Sequence, residues 1–190
     1  MITSKDILRM KYRKLRKNKS FEDSSHIMMA NNIHKIISQY KKNDNLKIGG
    51  YISMDGEVDI SIILRIYHNM YNYITLLPEI SENKELVFRS WNGCINQLIQ
   101  HKQYRFYYSY HGIPLVPNIV LTPLVCFDLA RNRIGMGGGF YDRLISRYKN
   151  DNNQTLFIGV AYEIQYTNYI QPETHDHRVH CICTEKYIYI

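Results

Sequence analysis

The residues best equipped for chemistry lie in the run Arg133-Ile-Gly-Met-Gly-Gly-Gly-Phe-Tyr-Asp-Arg143. Four of the five positions from Gly135 to Gly139 are glycine. Such a stretch accepts positive φ and lets backbone N–H groups approach a ligand closely, and consecutive amides of this kind form anion-binding nests. A helix expected over 141–148 would point its positive end at the same place. Arg133 and Arg143 offer side-chain charge, and Asp142 a hard oxygen ligand. Together these are the groups that a nucleoside triphosphate with Mg²⁺ requires. The run matches neither standard phosphate motif. Phe140 stands where the dinucleotide fingerprint begun at Gly135 needs its third glycine, and no G-x-x-x-x-G-K-[ST] occurs. The plainer alternative is a flexible turn between a strand and a helix. The flanking Arg133, the Tyr-Asp-Arg that follows and the buried strand expected before the loop weigh against it.

The elements that must position this loop are read from hydrophobic period. Thr3-Ser-Lys-Asp6 has the form of a capping box, with Ile7, Leu8, Tyr12 and Leu15 on one face of a basic helix. Ser20-Phe-Glu-Asp23 looks like a second cap, before a helix with Ile27, Ala30, Ile33, Ile37 and Tyr40 on one side. A polar break over 41–45 leads to a strand over 47–53 and a turn at Asp55-Gly56. Ile60, Ile63, Leu64 and Tyr67 mark a third helix, and 73–77 a short strand stopped by Pro78. Further strands are expected at 85–89, 118–125, 156–161 and 179–184, with a helix or part of one at 95–101. Alternating strands and helices predict a single-domain α/β fold over residues 1–190: a mostly parallel or mixed central sheet with helices on both faces, in Rossmann-like layering. Ligands of such sheets bind beyond the carboxyl ends of the strands, and the glycine loop follows such an end.

Composition narrows the function classes. The formal charge of +7 is front-loaded: eight Lys and Arg residues before residue 20 face one acid, Asp6. This favours a local anion site or a solvated helix over a nucleic-acid coat. The four cysteines show no disulfide framework, which suits a reducing, cytoplasmic compartment. No secretory signal and no apolar run of membrane-spanning length is expected.

The glycine run, preceded by Thr122-Pro-Leu-Val-Cys-Phe-Asp128, resembles the signature of the 5-formyltetrahydrofolate cyclo-ligase family. Other segments fall in the family's order. Lys5-Asp-Ile-Leu-Arg9 resembles its N-terminal motif, Tyr51-Ile-Ser-Met-Asp-Gly-Glu-Val-Asp59 its Gly-Glu-Val-Asp segment, Ile158-Gly-Val-Ala-Tyr-Glu-Ile-Gln165 a later strand, and Pro172-Glu-Thr-His-Asp176 its Pro…His-Asp segment. The resemblance implies ATP-dependent cyclisation of 5-formyltetrahydrofolate to 5,10-methenyltetrahydrofolate, through a phosphorylated formyl group, with release of ADP and phosphate. It implies Lys5, Arg9 and Arg133 as catalytic cations. It also implies an ATP site of Lys5, Arg9, Arg133, Ile134, Gly135, Met136, Gly137, Gly138, Gly139, Phe140 and Tyr141. Folate contacts would come from Ile52, Glu57, Met136, Gly137, Gly138, Gly139 and Phe140, and Mg²⁺ ligands from Asp142 and Asp176. The implied partners are the folate and ATP, with no nucleic acid or membrane, on a monomer or weak dimer. Phe140 replaces a usual Tyr, Met136 a commonly larger or basic residue, and His180 a common Asp. The family's Gly-Ile-x-Glu-Pro segment lacks its Glu in Gly112-Ile-Pro-Leu-Val-Pro117.

Other readings of the residues stand beside this one. Arg13, Lys14, Arg16 and Lys17 read as a solvated basic face, and Asp59 as the cap of the third helix. His175, His177, His180, Cys181 and Cys183 form a crowded rival zinc site, though Cys181 and Cys183 read better as strand residues. Cys126 reads as a small core side chain. The basic start and seventeen tyrosines could serve a non-enzymatic RNA-binding protein, but no RNA-binding motif is present. A different phosphoryl-transfer enzyme on a similar sheet is the third reading.

Overall fold

The computed structural model describes residues 3–18, 23–40, 45–104 and 106–190. The first helix, α1 (Ser4–Lys17), starts on the expected capping box. Asp6 N–H donates to Thr3 Oγ1, and Thr3 N–H donates back to Asp6 Oδ2, so two otherwise orphaned donors are satisfied. The cap expected over 20–23 lies outside the described residues but for the start of α2 (Asp23–Gln39), as does 41–44 of the polar break. The other long helices are α3 (Ser61–Tyr71) and α4 (Phe140–Asn150). Asp59 Oδ1 accepts the Ser61 N–H at the start of α3, one residue short of the cap position.

The strands in chain order are β1 (Lys47–Gly49), β2 (Ile74–Ile80), β3 (Leu86–Ser90), β4 (Leu98–Gln100), β5 (Tyr107–Ser109), β6 (Ile119–Pro123), β7 (Cys126–Phe127), β8 (Arg133–Ile134), β9 (Leu156–Val160), β10 (Cys181–Cys183) and β11 (Ile188–Tyr189). Seven form one sheet in the order β11-β10-β9-β6-β1-β2-β3. The five inner strands, β10 to β2, are parallel, and β3 and β11 are antiparallel edges. β4–β5 and β7–β8 are separate two-stranded ladders.

Both faces of the sheet are covered, as near-continuous apolar strands require. Ile33 and Ile37 of α2 and Leu64 and Tyr67 of α3 pack with Ile48, Ile119, Leu121 and Ile158 on one face. Leu144, Ile145 and Tyr148 of α4 pack with Leu76, Val120 and Phe157 on the other. The alternation of Ile119, Val120 and Leu121 between the two clusters is the period-two signature of a strand buried on both sides.

Three expectations are corrected. β2 runs through Pro78. That residue lies two positions beyond the last β2 partner of β1, Leu76, so its missing N–H breaks no bond to β1. The segment 95–101 is a single 3₁₀ turn (Ile95–Gln97) followed by β4. On α1, Ile7 and Leu15 face solvent, and the inward face is Lys5, Leu8, Tyr12 and Arg16 instead. Apolar period misplaced that face because its partners include carboxylates and carbonyls as well as apolar side chains.

Candidate active site

In chain order the parallel strands are β1, β2, β6, β9 and β10, and in space they run β2-β1-β6-β9-β10. The winding therefore reverses between β1 and β6. In doubly wound sheets the crevice beyond the carboxyl ends at such a reversal is the ligand site. A cleft of about 580 Å³ opens there, floored by Tyr51 and Ile52 after β1 and by Pro123 and Leu124 at the end of β6.

All but one of the site residues expected from the sequence line this one cleft: Lys5, Arg9, Ile52, Glu57, the run Arg133–Asp142 and Asp176. They come from four separate stretches of chain. Arg143 does not line it. Its guanidinium lies 4.9 Å from the Phe140 ring centroid and donates to Gly138 O at 3.0 Å.

The glycine run forms the loop between β8 and α4. Gly137 (φ +100°) and Gly139 (φ +63°) hold left-handed backbone that L side chains rarely adopt. Gly139 is the N-cap of α4 and has no side chain to cap it, so the first turn of the helix keeps its positive end toward the cleft. α4 begins one residue earlier than expected, at Phe140.

Cations from α1 meet this loop. Arg9 donates through Nε to Gly135 O at 2.9 Å and through Nη1 to Asp6 at 2.5 Å. Lys5 Nζ lies 2.5 Å from Asp176 Oδ2 and 3.3 Å from Glu173 Oε2. Partial burial works to raise the Asp176 carboxyl, but the Lys5 ammonium and the Glu173 N–H outweigh it, and the net direction is down. Arg133 grips Asp142 with both terminal nitrogens, at 3.3 and 3.0 Å, and His177 N–H also donates to Asp142 Oδ1. The Arg133 side chain is 3% exposed, and its Nε is buried with no hydrogen-bond partner among the described residues.

Glu57 is the most perturbed acid of the cleft. It accepts from Met54 N–H at 3.2 Å and lies 3.8 Å from an Arg16 nitrogen. Burial pushes its carboxyl up to about 7, Arg16 and the Met54 N–H pull it partly back, and Asp55 adds to the rise. Arg16 itself is fully buried, which corrects its reading as part of a solvated face. Arg13 and Lys17 also pair with Asp55, and only Lys14 of that group is left exposed with no ion pair among the described residues. Three cations hold the Asp55 carboxyl at about 2 against the opposing effect of burial.

Several lining residues carried no sequence signal. Tyr104, Phe106 and Tyr107 at the β4–β5 ladder form an aromatic wall, with Tyr104 edge-on to Phe140 at 5.1 Å between centroids. Nothing local in 98–109 points to a site built largely from distant stretches of the chain. Asp6, Glu173 and His175 also line the cleft, and their positions inside the Lys5–Arg9 and Pro172–Asp176 segments were the available hint.

The rival zinc site does not assemble. The described residues bring metal-ligating atoms of Glu173, His175 and Asp176 within 4.8 Å of one another, with no cysteine among them. Cys181 and Cys183 are buried in β10, and His180 Nδ1 accepts from Phe157 N–H. Cys126 is buried, and burial raises its thiol to about 12, which leaves it no nucleophile. No described helix is long and apolar enough to cross a membrane.

Fold and cleft together define a doubly wound α/β protein with a cation-rich, glycine-lined crevice at its switch point. Comparison with known proteins makes this specific. The model of the 5-formyltetrahydrofolate cyclo-ligase family matches residues 1–185, and the chain belongs to that family. It is similar to the 5-formyltetrahydrofolate cyclo-ligase of Haemophilus influenzae, 42% identical over 59 residues, a stretch that spans 31% of this chain and 30% of that protein. To the Saccharomyces cerevisiae protein of the same name it is 35% identical over 68 residues, 34% of this chain and 32% of the relative. The matched stretches thus span about a third of these relatives' own length. The solved structure of the Aquifex aeolicus 5,10-methenyltetrahydrofolate synthetase superposes with a TM-score of 0.76 at 25% identity, covering 98% of this chain and 92% of that one. The Mycoplasma pneumoniae 5,10-methenyltetrahydrofolate synthetase shares the fold, with a TM-score of 0.73 at 17% identity over 96% and 99% of the two chains.

Proposed function

We propose that this protein cyclises 5-formyltetrahydrofolate to 5,10-methenyltetrahydrofolate at the expense of ATP, with Mg²⁺, as one cyclo-ligase domain over residues 1–190. In this reading it acts in the cytoplasm, as a monomer or weak dimer. The observation that carries the proposal is the convergence, in one cleft, of the glycine loop, the α1 cations and the buried Glu57.

The chemistry asks little covalent work of the protein. The formyl oxygen of the substrate is an amide oxygen and a poor leaving group. Its attack on the γ-phosphorus forms an O–P bond and breaks the bond to ADP, which leaves with its electron pair. N10 then adds to the activated carbon and gives up its proton, and phosphate departs with the former formyl oxygen. The protein must hold oxygen and phosphorus in line and offset charge on the transferring phosphoryl.

Lys5, Arg9 and Arg133 are the cations for that task, and the run Ile134–Tyr141, with the start of α4, the cradle for the phosphates. Ile52, Glu57 and the Met136–Phe140 stretch face the folate, where the Glu57 carboxylate accepts N–H donors of the reduced pterin. Mg²⁺ fits the donor set. Asp142 and Asp176 are carboxylates on the cleft wall, Glu173 adds an oxygen beside Asp176, and each retains lone pairs beyond its present bonds. Asp142 and Asp176 would hold the ion, whose charge would offset that on phosphate oxygens.

The test is a coupled assay. 5-Formyltetrahydrofolate, ATP and Mg²⁺ are supplied, and the near-ultraviolet absorbance of the methenyl product is followed. An ATP-dependent rise is expected. Absence of any rise at high enzyme concentration rejects the proposal, and ADP release with another acceptor would point to a different phosphoryl transfer.

A further inference from the structure

Arg16 is a charged side chain in an improbable place. Arginine is almost never fully buried unless paired, yet the side chain of Arg16 is 0% exposed at the last turn of α1. Its donors are spread over three separate pieces of the cleft wall. Nε donates to Asp55 O at 2.8 Å, Nη2 to Asp55 Oδ2 at 3.2 Å, and Nη1 to Leu124 O at 3.0 Å. Nη2 also approaches Met136 Sδ at 3.8 Å and Glu57 Oε1 at 3.8 Å.

These contacts matter because of where the pieces sit. Asp55 and Glu57 belong to the turn beyond β1, Leu124 follows β6, and Met136 is in the glycine loop. β1 and β6 are the strands between which the winding reverses, so a single guanidinium ties both sides of the switch-point crevice to the nucleotide loop. The planar fork of arginine suits this task, and the point charge of lysine does not. Asp55 is already held by Arg13 and Lys17, so the turn has two other cations to fix its acid. Among the described residues Arg16 is the cation within 4 Å of Glu57.

Resting on the proposed cyclo-ligase reading, we propose that Arg16 is a positioning residue of the folate half of the site: it holds the Asp55–Glu57 turn against Leu124 and Met136, and so presents the Glu57 carboxylate to the pterin. Arg16 touches no substrate in this account, since it does not line the cleft. α1 then serves both substrates. Lys5 and Arg9 at one end face the phosphates, and Arg16, about 16 Å beyond Lys5 and about 10 Å beyond Arg9 at 1.5 Å per residue, braces the folate acid. The groups that face Glu57 are Arg16 from α1, Asp55 and the Met54 N–H from its own turn, Tyr51 from the segment after β1, and Tyr141 from α4. Of these Arg16 is the positive one, so its loss removes the charge that favours an ionised Glu57.

The experiment compares wild type, Arg16→Lys, Arg16→Met and Glu57→Gln. Arg16→Met is expected to raise the KM for 5-formyltetrahydrofolate by about tenfold or more, as loss of a charge-assisted contact does, while the KM for ATP stays within about twofold. Arg16→Lys, which keeps the charge and loses the fork, should fall between. In a Glu57→Gln background Arg16→Met should add little to the folate effect. An equal rise in both KM values, or full additivity with Glu57→Gln, overturns the proposal. A second readout needs no substrate. Carbon-13 NMR of the Glu57 side-chain carboxyl, assigned by its loss in Glu57→Gln, gives its titration in the ligand-free protein. The midpoint should move up in Arg16→Met and stay near wild type in Arg16→Lys; an unmoved midpoint in Arg16→Met overturns the proposal even if the protein proves to have another substrate. Should Arg16→Met fail to fold, Arg16→Lys carries the test, with a raised folate KM and an unchanged ATP KM required. Wild type that turns over no 5-formyltetrahydrofolate refutes the cyclo-ligase reading and leaves the titration to decide the role of Arg16.

Discussion

Replacing Glu57 with Gln tests the account of the cleft at its most sensitive point. The Glu57 side chain is 6% exposed, and burial moves its carboxyl from the ordinary 4.5 to about 7. At about 1.4 kcal/mol per pKa unit, that displacement corresponds to about 3 kcal/mol. Because the folded pKa is raised, the folded chain keeps this proton over a range where the unfolded chain has released it. The group therefore favours folding most at low pH, and the advantage is lost as pH rises from about 4.5 through about 7. Gln has no proton to lose. The stability of Glu57→Gln minus that of wild type, from urea unfolding at fixed ionic strength, should thus grow by up to about 3 kcal/mol across this window. Taking the difference removes other titrations. Asp55, held at about 2, acts lower on the scale, and His177 and His180, both lowered first by burial, act alike in the two proteins. A flat difference would mean that Glu57 ionises as freely inside the fold as outside it, and the picture of a desolvated acceptor awaiting N–H donors would fail.

Other expectations follow from single contacts. Lys5→Ala should lower turnover by about tenfold to a thousandfold while changing stability by less than about 1 kcal/mol, since its ion pairs with Asp176 and Glu173 lie at the partly solvated cleft rim; wild-type turnover would remove Lys5 from the catalytic set. Asp142→Ala should cost about 3 kcal/mol in thermal or urea unfolding, besides turnover, because it strands the 3%-exposed Arg133 guanidinium without its partner. Unchanged stability there would show that the Arg133–Asp142 fork does not hold in solution. Gly137→Ala forces a Cβ into backbone at φ +100°, at a cost of about 1–2 kcal/mol, and should raise the KM for ATP; an unchanged melting temperature and KM would mean the loop does not keep this conformation.

The fold was legible because its main signals are local. The capping box at Thr3–Asp6, the doubly apolar run around Ile119–Leu121 and the helix after the glycine loop each declare themselves within a few residues. The errors share a cause. Pro78 was read as a stop because the sequence does not show that β1 has already ended beside it. Ile7 and Leu15 were placed inward because apolar period is blind to a face that binds through charge. The same blindness assigned Arg16 to solvent, although its acceptors, Asp55 and Leu124, lie 39 and 108 residues away. Tyr104 and Phe106 had no local pattern at all, since an aromatic wall is made by where a ladder folds back.

The cleft residues differ in how far they depend on the rest of the fold. The glycine loop carries its own geometry, in two left-handed residues and a helix start, and so it was visible as a motif. Lys5, Arg9, Glu57 and Asp176 acquire their positions only when α1 is laid across the carboxyl ends of β1 and β6. What lays it there is largely polar: Arg9 to Gly135 O, Arg16 to Leu124 O and Asp55, Lys5 to Asp176, with Tyr12 as the main apolar anchor. A helix docked by charge-assisted bonds to carbonyls and carboxylates is held in register by directional contacts, where a greasy face would tolerate sliding. In the proposed reaction, in-line transfer between two bound substrates demands that precision, and one face of the basic first helix thereby forms a wall of the cleft.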